Sequence, residues 1–126
     1  MKAPLSEQLK SILRKYETHP DFLGFDLTDP NQKGAVDDTV LHLATRTGAL
    51  DDVRVLVDAG ANVNSIGDLG NTPLHQAAMM GQLESARLLL KCGAATQAEN
   101  EFGQTPLEVA KLSGSEEMIR LLGAGR

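Results

Sequence analysis

The chain has 126 residues and a formal net charge of −5, with no basic run that could neutralise phosphates, which argues against nucleic-acid binding and favours a protein partner with a basic surface. The single cysteine, Cys92, excludes an internal disulfide and fits a reducing compartment. No stretch resembles a signal peptide or approaches the roughly 20 apolar residues of a membrane-spanning helix, so the sequence predicts a soluble, cytoplasmic chain without membrane contact.

The first predicted element lies near the N-terminus. Apolar residues recur there at the spacing of one helical face, namely Leu5, Leu9, Ile12 and Leu13. We expect a helix within residues 4–17, capped by Ser6 and ended by His19-Pro20. This helix is interpreted as covering one end of the domain, and the alternative is an amphipathic helix that docks onto a partner or a membrane.

A loop with apolar and turn-forming residues follows. Its apolar members, which we expect to pack against the first helix, are Phe22, Leu23, Phe25 and Leu27. Pro30, Asn31 and Gly34 then supply turn chemistry ahead of the next helix.

The remainder of the chain repeats itself at a fixed interval. Thr39, Thr72 and Thr105 are 33 residues apart (72 − 39 and 105 − 72), and the same offset relates the triplets Leu41, Leu74 and Leu107, and Gly48, Gly81 and Gly114. A fixed period of this length predicts stacked copies of one helix-turn-helix unit. Each copy has a threonine cap, a short first helix, a glycine turn and a second helix.

The segment Thr72-Pro73-Leu74-His75-Gln76-Ala77 resembles the signature of the ankyrin repeat, with Val40 and Glu108 as departures in the other two copies. The resemblance implies an all-α ankyrin-repeat solenoid of three helix-turn-helix repeats, with projecting β-hairpin-like fingers and an N-terminal capping helix. Residues 1–33 would hold this helix and a degenerate half repeat, and the repeats would occupy residues 34–66, 67–99 and 100–126. Met1 and the capping helix favour a whole small protein.

Local signals predict the elements of each repeat. The first repeat would have helices over 40–47 and 50–59, with Asp51 and Asp52 favouring the helix dipole rather than forming a catalytic pair. In the third repeat, Thr105 and Glu108 have capping-box spacing, and the second helix would run over 115–122. Asp37 stands where the other fingers have Gly70 and Gly103, which predicts a deformed first finger.

The sequence predicts no catalytic residue, cofactor or metal site. His42 and His75 recur at the repeat interval, but equivalent residues of stacked repeats lie roughly 10 Å apart, too far to share a metal. In the ankyrin family this histidine hydrogen-bonds backbone between neighbouring repeats, and the resemblance implies the same here. Cys92 ends a helix where carbonyls rather than amides point outward, which does not favour a catalytic thiolate.

The resemblance also implies a concave protein-binding face made of finger tips and the exposed side of the first helices. Its positions correspond here to Val36, Asp38, Arg46, Asp68, Leu69, Asn71, Met79, Met80, Glu101, Phe102, Gln104 and Leu112. Five of them would form an apolar patch with a polar rim, the mark of an interaction site. The alternative is that Met79 and Met80 partly pack between repeats while Phe102 folds onto its own finger.

The leading functional hypothesis is a non-enzymatic protein-binding module. A small acidic ankyrin protein resembles an inhibitor or immunity-type antagonist whose fingers cover a basic active site. The alternatives are an adaptor or chaperone for an endogenous enzyme, a self-associating structural protein, and an enzyme or metal site built from His42, His75, Cys92 and scattered aspartates. We expect a monomer rather than an oligomer.

Overall fold

The computed structural model describes residues 6–124, and all regular structure within this range is helical. Its α-helices are α1 (Glu7–Tyr16), α2 (Val40–Thr47), α3 (Leu50–Asp58), α4 (Pro73–Met80), α5 (Leu83–Lys91), α6 (Pro106–Ser113) and α7 (Glu116–Ala124). Short 3₁₀ turns occupy Pro20–Phe22 and Asp68–Gly70. None of these described helices is long and apolar enough to cross a membrane. Leu5, predicted on the first helical face, lies outside the described residues.

The helices form two layers. In the inner layer α2 packs against α4 and α4 against α6, while in the outer layer α3 packs against α5 and α5 against α7. Each inner helix also packs against the outer helix that follows it. The core between the layers is built from the same positions of successive repeats, with Leu41 and Leu74 in the inner layer and Leu56, Leu89 and Leu122 in the outer layer.

Capping residues set the ends of the inner helices. Thr72 and Thr105 each accept a hydrogen bond from the backbone amide three residues on, at 3.3 Å in both cases. At the other end Gly48, Gly81 and Gly114 take positive φ of 75°, 69° and 82°, a conformation that costs glycine nothing. The predicted bounds of α2 are confirmed, whereas α3 ends one residue earlier than predicted and α7 begins and ends later.

Helix α1 occupies the outer layer, where it packs against α3. Ser6 caps it as predicted, accepting a hydrogen bond from the Leu9 amide at 3.1 Å. At its C-terminal end the Tyr16 hydroxyl donates to Asp52 Oδ2 at 2.9 Å, and Lys15 Nζ reaches the same oxygen at 2.7 Å. Burial and the Asp52 carboxylate raise the pKa of Tyr16, which keeps its hydroxyl a donor.

The 3₁₀ turn at Pro20–Phe22 lies beside the first finger. Phe22 is fully buried, and a Cβ atom on Gly34 would approach its ring to 2.8 Å, so this contact requires glycine. The Asp21 carbonyl accepts from the Ala35 amide at 2.8 Å. This turn therefore supplies packing and hydrogen bonds against the first finger, which in later repeats come from the preceding repeat.

The prediction that all four apolar residues of the loop pack against the first helix is half wrong. Phe22 and Leu27 are buried, but Leu23 and Phe25 are exposed. The chain turns at Gly24, which has a φ of 86°. A turn this short offers only one side to the helices, so alternate apolar residues are left in solvent.

Two asparagines link consecutive loops at the ends of the outer helices. Asn31 Oδ1 accepts from the Asn62 amide at 2.6 Å, and its Nδ2 donates to the Gly60 carbonyl at 3.1 Å. Asn64, 33 residues later, makes the equivalent pair of bonds to Ala95 at 2.8 Å and Gly93 at 3.4 Å. An asparagine at the equivalent position thus fixes the spacing of successive loops at each of these two junctions.

Candidate protein-binding surface

Three fingers project between the repeats, at residues 34–38, 67–71 and 100–104. Each is closed by one backbone hydrogen bond from its first amide to its last carbonyl, at 2.9, 2.9 and 3.0 Å. The described residues contain no β-strand, so the predicted β-hairpin-like fingers are tight turns without strands. We call their central residues, 35–37, 68–70 and 101–103, the tips.

The prediction of a deformed first finger is wrong. Asp37 adopts a φ of 70°, the same left-handed conformation as Gly70 at 76° and Gly103 at 72°. Aspartate tolerates this region better than most side-chain-bearing residues because its short polar group can bond locally. The first finger consequently keeps the closing hydrogen bond of the other two.

Backbone strain appears instead in the second finger, at Leu69. Its φ is 58° and ψ 22°, and with Gly70 it forms two consecutive left-handed residues, the pattern of a type I′ turn. Such turns favour Asn, Asp or Gly at both central positions. The Leu69 carbonyl accepts from the Glu101 amide at 3.0 Å, which ties the strained turn to the third finger.

The repeated histidines join α2 and α4 to the finger that follows each helix, as the family resemblance implies. His42 Nδ1 accepts from the Thr39 amide at 3.0 Å, so the proton lies on Nε2, which donates to the Asn71 carbonyl at 3.0 Å. His75 repeats this arrangement with Thr72 at 3.1 Å and Gln104 at 2.8 Å. Burial lowers the pKa of both histidines. The charge of Asp38 raises the pKa of His42, but burial has the larger effect. Both side chains therefore act as neutral structural links.

Two predicted contact residues, Asp38 and Asn71, are buried, with 1% and 5% of their surface exposed. Asp38 Oδ1 accepts from the Asp68 amide at 2.9 Å and Oδ2 pairs with Arg46 Nη2 at 2.6 Å. Asn71 Oδ1 accepts from Asn100 Nδ2 at 3.0 Å. The prediction that these two side chains are available to a partner is wrong, because both connect neighbouring fingers.

Arg46 is half-buried by the same network. Its Nε donates to Gln76 Oε1 at 3.1 Å, while Gln82 Nε2 donates to its carbonyl at 3.0 Å. The sequence predictions did not include this network, although Gly67 was a signal for close packing at this point. Gly67 has no room for a side chain, since a Cβ there would lie 2.8 Å from His42 Nε2 and collide with Asp38.

The apolar members of the predicted face are exposed. Phe102 is 66% and Leu112 75% accessible, and about half of the surface of Leu69, Met79 and Met80 is accessible. Repeat register places Leu69 and Phe102 on equivalent positions of adjacent fingers, and Met79 and Leu112 on equivalent positions of α4 and α6. We call these five residues the apolar cluster. Of the alternative packing, the half-exposed methionines remain compatible with partial packing between repeats, whereas Phe102 is too exposed to be folded away onto its finger.

Charge on the finger tips is of one sign. Asp37, Asp68 and Glu101 are exposed, one on each tip, and the tips contain no Lys or Arg in their sequence. Lys33, at the base of the first finger, donates to the Ile66 carbonyl at 2.6 Å. The tips therefore combine carboxylates with the apolar side chains Val36, Leu69 and Phe102.

The carboxylates considered for catalysis or metal binding form hydrogen bonds or ion pairs within the protein. Asp51 is exposed and pairs with Arg54 at 3.5 Å, whereas Asp52 holds Tyr16, so the two carboxylates serve different partners. Glu108 accepts from the Thr105 amide at 3.0 Å, a bond that lowers the pKa of this carboxyl and completes the predicted capping box. Among residues 6–124 no group of three or more His, Cys, Asp or Glu side chains could hold a metal ion.

Comparison with known proteins agrees with the geometry of the stack. No curated protein matches the chain. The family model for ankyrin repeats (3 copies) matches residues 9–100 and 41–125, which together extend from α1 to the last helix. Because this match covers most of the chain, the chain belongs to the ankyrin-repeat family.

Proposed function

We propose that the protein is a non-enzymatic interaction module that binds another protein through its concave face. Ankyrin repeats are in general protein–protein interaction modules. The observation that carries the proposal for this face is the exposed apolar cluster. Contiguous exposed apolar residues with a polar rim mark interaction sites, and methionines adapt well to irregular partner surfaces.

The cluster is not required by the fold. In α4 every residue from Pro73 to Ala78 is buried, whereas Met79 and Met80 are exposed at the end of the same helix. Leu112 has the corresponding position in α6. Since soluble proteins gain nothing from leaving large apolar side chains in water, a partner surface gives the best account of these residues.

Charge points to a partner with a basic surface. The contact set that remains after burial is taken into account has an apolar centre and a rim of acidic finger tips, with Arg46 and Gln104 as half-buried polar neighbours. An inhibitor or immunity-type antagonist that covers a basic active site would use such a face, with long-range steering of the encounter. An adaptor or chaperone for an endogenous enzyme is the alternative. Free Cys92 supports a reducing, cytoplasmic setting.

The test is a tagged pull-down from the native cell, read by mass spectrometry. Three baits are compared: the wild type, the double variant M79E/F102E on the face, and the matched control A59E/C92E at exposed ends of the outer helices. Both variants add two negative charges. We expect one basic protein to be recovered with the wild type and the control but not with M79E/F102E. Equal recovery with all three would contradict the concave-face proposal.

Further measurements separate the alternatives. Steep loss of the partner with increasing salt would favour the acidic antagonist, and weak salt dependence the adaptor. Sedimentation at several concentrations would detect self-association through the apolar cluster, against the proposed monomer. Stoichiometric metal in the purified protein, measured by plasma emission, would contradict the assignment as a non-enzymatic module without cofactors.

A further inference from the structure

We propose that the concave face takes an extended basic segment of the partner, with a large apolar side chain at every third residue and Lys or Arg between them. This inference rests on the proposed function and specifies the occupant of the same site. It follows from the period of the finger ladder, from the chemistry of the tips and from the conformation of Leu69.

The period of the ladder matches an extended chain. Val36, Leu69 and Phe102 occupy equivalent positions of three stacked repeats, and packed helices lie roughly 8–10 Å apart. An extended chain in the polyproline II conformation advances about 3.1 Å per residue and brings every third side chain to the same face. Three residues of the partner therefore span one repeat, so that its residues i, i+3 and i+6 meet the three apolar finger residues in turn.

The chemistry of the tips selects the residues between those anchors. Each tip presents one exposed carboxylate beside its apolar residue, namely Asp37, Asp68 and Glu101. A segment crossing three such tips without Lys or Arg would place carboxylates against uncharged or acidic groups and lose their hydration without compensation. Cationic residues between the apolar anchors remove this penalty, and long-range attraction speeds the encounter.

An extended occupant also needs hydrogen-bond partners for its backbone. Half-buried Gln104 and the carboxylates of Asp68 and Glu101 stand next to the apolar ladder and can accept from backbone amides. A helix rises only about 1.5 Å per residue, so it would place one residue on a finger in roughly seven. Its backbone amides are also bonded within the helix and would not need these acceptors. The extended form engages all three fingers with the shortest segment.

The conformation of Leu69 is an independent sign that this row of residues serves binding. A leucine with a φ of 58° is a backbone outlier, and the side chain that causes the strain is about half exposed. Such outliers persist where the surrounding structure holds them, here through the bond from the Glu101 amide to the Leu69 carbonyl. The fold would be better served by Asn or Gly, whereas an apolar anchor in the middle of the row requires a residue such as Leu.

The test is selection of a phage-displayed library of random dodecapeptides on immobilised protein. Wild type is the target, L69N/F102N the counter-selection and A59E/C92E the control. We expect enriched peptides with large apolar residues three positions apart and Lys or Arg between them. A synthetic peptide of this kind should bind at least tenfold more weakly to L69N/F102N than to the wild type, and within twofold of wild type to A59E/C92E.

Several results would overturn the inference. Apolar residues enriched at i, i+4 and i+7 would indicate a helical occupant, and enriched acidic peptides would contradict the charge argument. Failure to enrich any peptide would indicate a folded partner surface. In each case the proposed function still stands if M79E/F102E alone loses the protein recovered in the pull-down, and it fails if the three baits recover that protein equally.

Discussion

At the residue scale, Leu69 shows a conflict between stability and the surface that the chain presents. A left-handed conformation costs a side-chain-bearing residue about 1–2 kcal/mol, and Asn suffers least. Leu69→Asn should therefore raise the free energy of unfolding by about 1 kcal/mol, measured by urea denaturation. Phe102→Asn is the matched control, since Phe102 has no positive φ, and it should give no gain. A loss of stability in Leu69→Asn would contradict the strain argument.

A second residue-scale prediction concerns Thr45, whose Oγ1 is buried without a hydrogen-bond partner among the described residues. A buried hydroxyl without a partner costs about 1–3 kcal/mol, and valine has nearly the same shape. Thr45→Val should increase the free energy of unfolding by about 1 kcal/mol in thermal or urea unfolding. Thr39→Val, which removes a hydroxyl lying 2.9 Å from His42 Nδ1, should decrease it. The same sign in both variants would contradict the assignment.

The buried histidines make stability depend on pH. Because burial lowers the pKa of His42 and His75 in the folded state, the unfolded chain binds more protons below its own histidine pKa of about 6.5. The histidine contribution is thus fully present above that pH and is lost as pH falls through the folded values. The slope is at most about 1.4 kcal/mol per pH unit for each histidine.

Urea denaturation between pH 5 and 7.5 measures this slope. We expect the free energy of unfolding to decrease as pH is lowered below about 6.5, and the slope to be smaller in His75→Gln, which has one titrating link fewer. Unchanged stability from pH 7.5 to pH 5 would show that these histidines are not held neutral in the folded protein.

At the element scale, α2 and α4 are each held by a fully buried leucine, Leu41 and Leu74. Leu74 in α4 is fully buried between α2 and α6, whereas Leu112 in α6 is exposed. Leu74→Ala should lower the free energy of unfolding by about 2–5 kcal/mol, and Leu112→Ala by less than about 0.5 kcal/mol. Circular dichroism during urea denaturation measures both. Similar losses in the two variants would mean that the two sides of the inner helices are misassigned.

The inner helices were the part of the fold most readily predicted from sequence. Threonine caps, glycine turns and apolar positions recur at one interval, so a local signal seen in one copy is supported by the other two. The N-terminal loop was predicted less well. Leu23 and Phe25 are apolar but exposed, because a single unrepeated turn gives no register from which to tell its buried side from its open side.

The site was predicted in part for a similar reason. Positional analogy found the exposed members, including Met79 and Phe102, but included buried Asp38 and Asn71. Their burial depends on specific partners across a finger junction, the Asp68 amide in one case and Asn100 in the other. The left-handed conformation of Leu69 could not be predicted from the sequence, because such turn positions favour Asn, Asp or Gly over Leu. Contacts between repeats therefore decide which of the site residues are buried, and the repeat pattern alone does not predict these contacts.

At the scale of the whole molecule, the side chains that join the repeats differ from those of the apolar cluster. Histidine links, asparagine bridges and the bond from the Asp68 amide to Asp38 hold neighbouring repeats together. Because each repeat touches only its neighbours, these bonds set the stability of the whole stack. The apolar cluster adds little to them, and we propose that a partner covers it. Substitutions in the cluster should consequently separate binding from stability.

The central claim is tested most directly by calorimetric titration of the recovered partner into wild type, M79E/F102E and A59E/C92E, with the thermal midpoint of each protein measured in parallel. We predict at least a hundredfold loss of affinity for M79E/F102E, affinity within twofold of wild type for A59E/C92E, and midpoints that differ little among the three. Equal affinity for all three proteins, or a large fall in the midpoint of M79E/F102E, would contradict it.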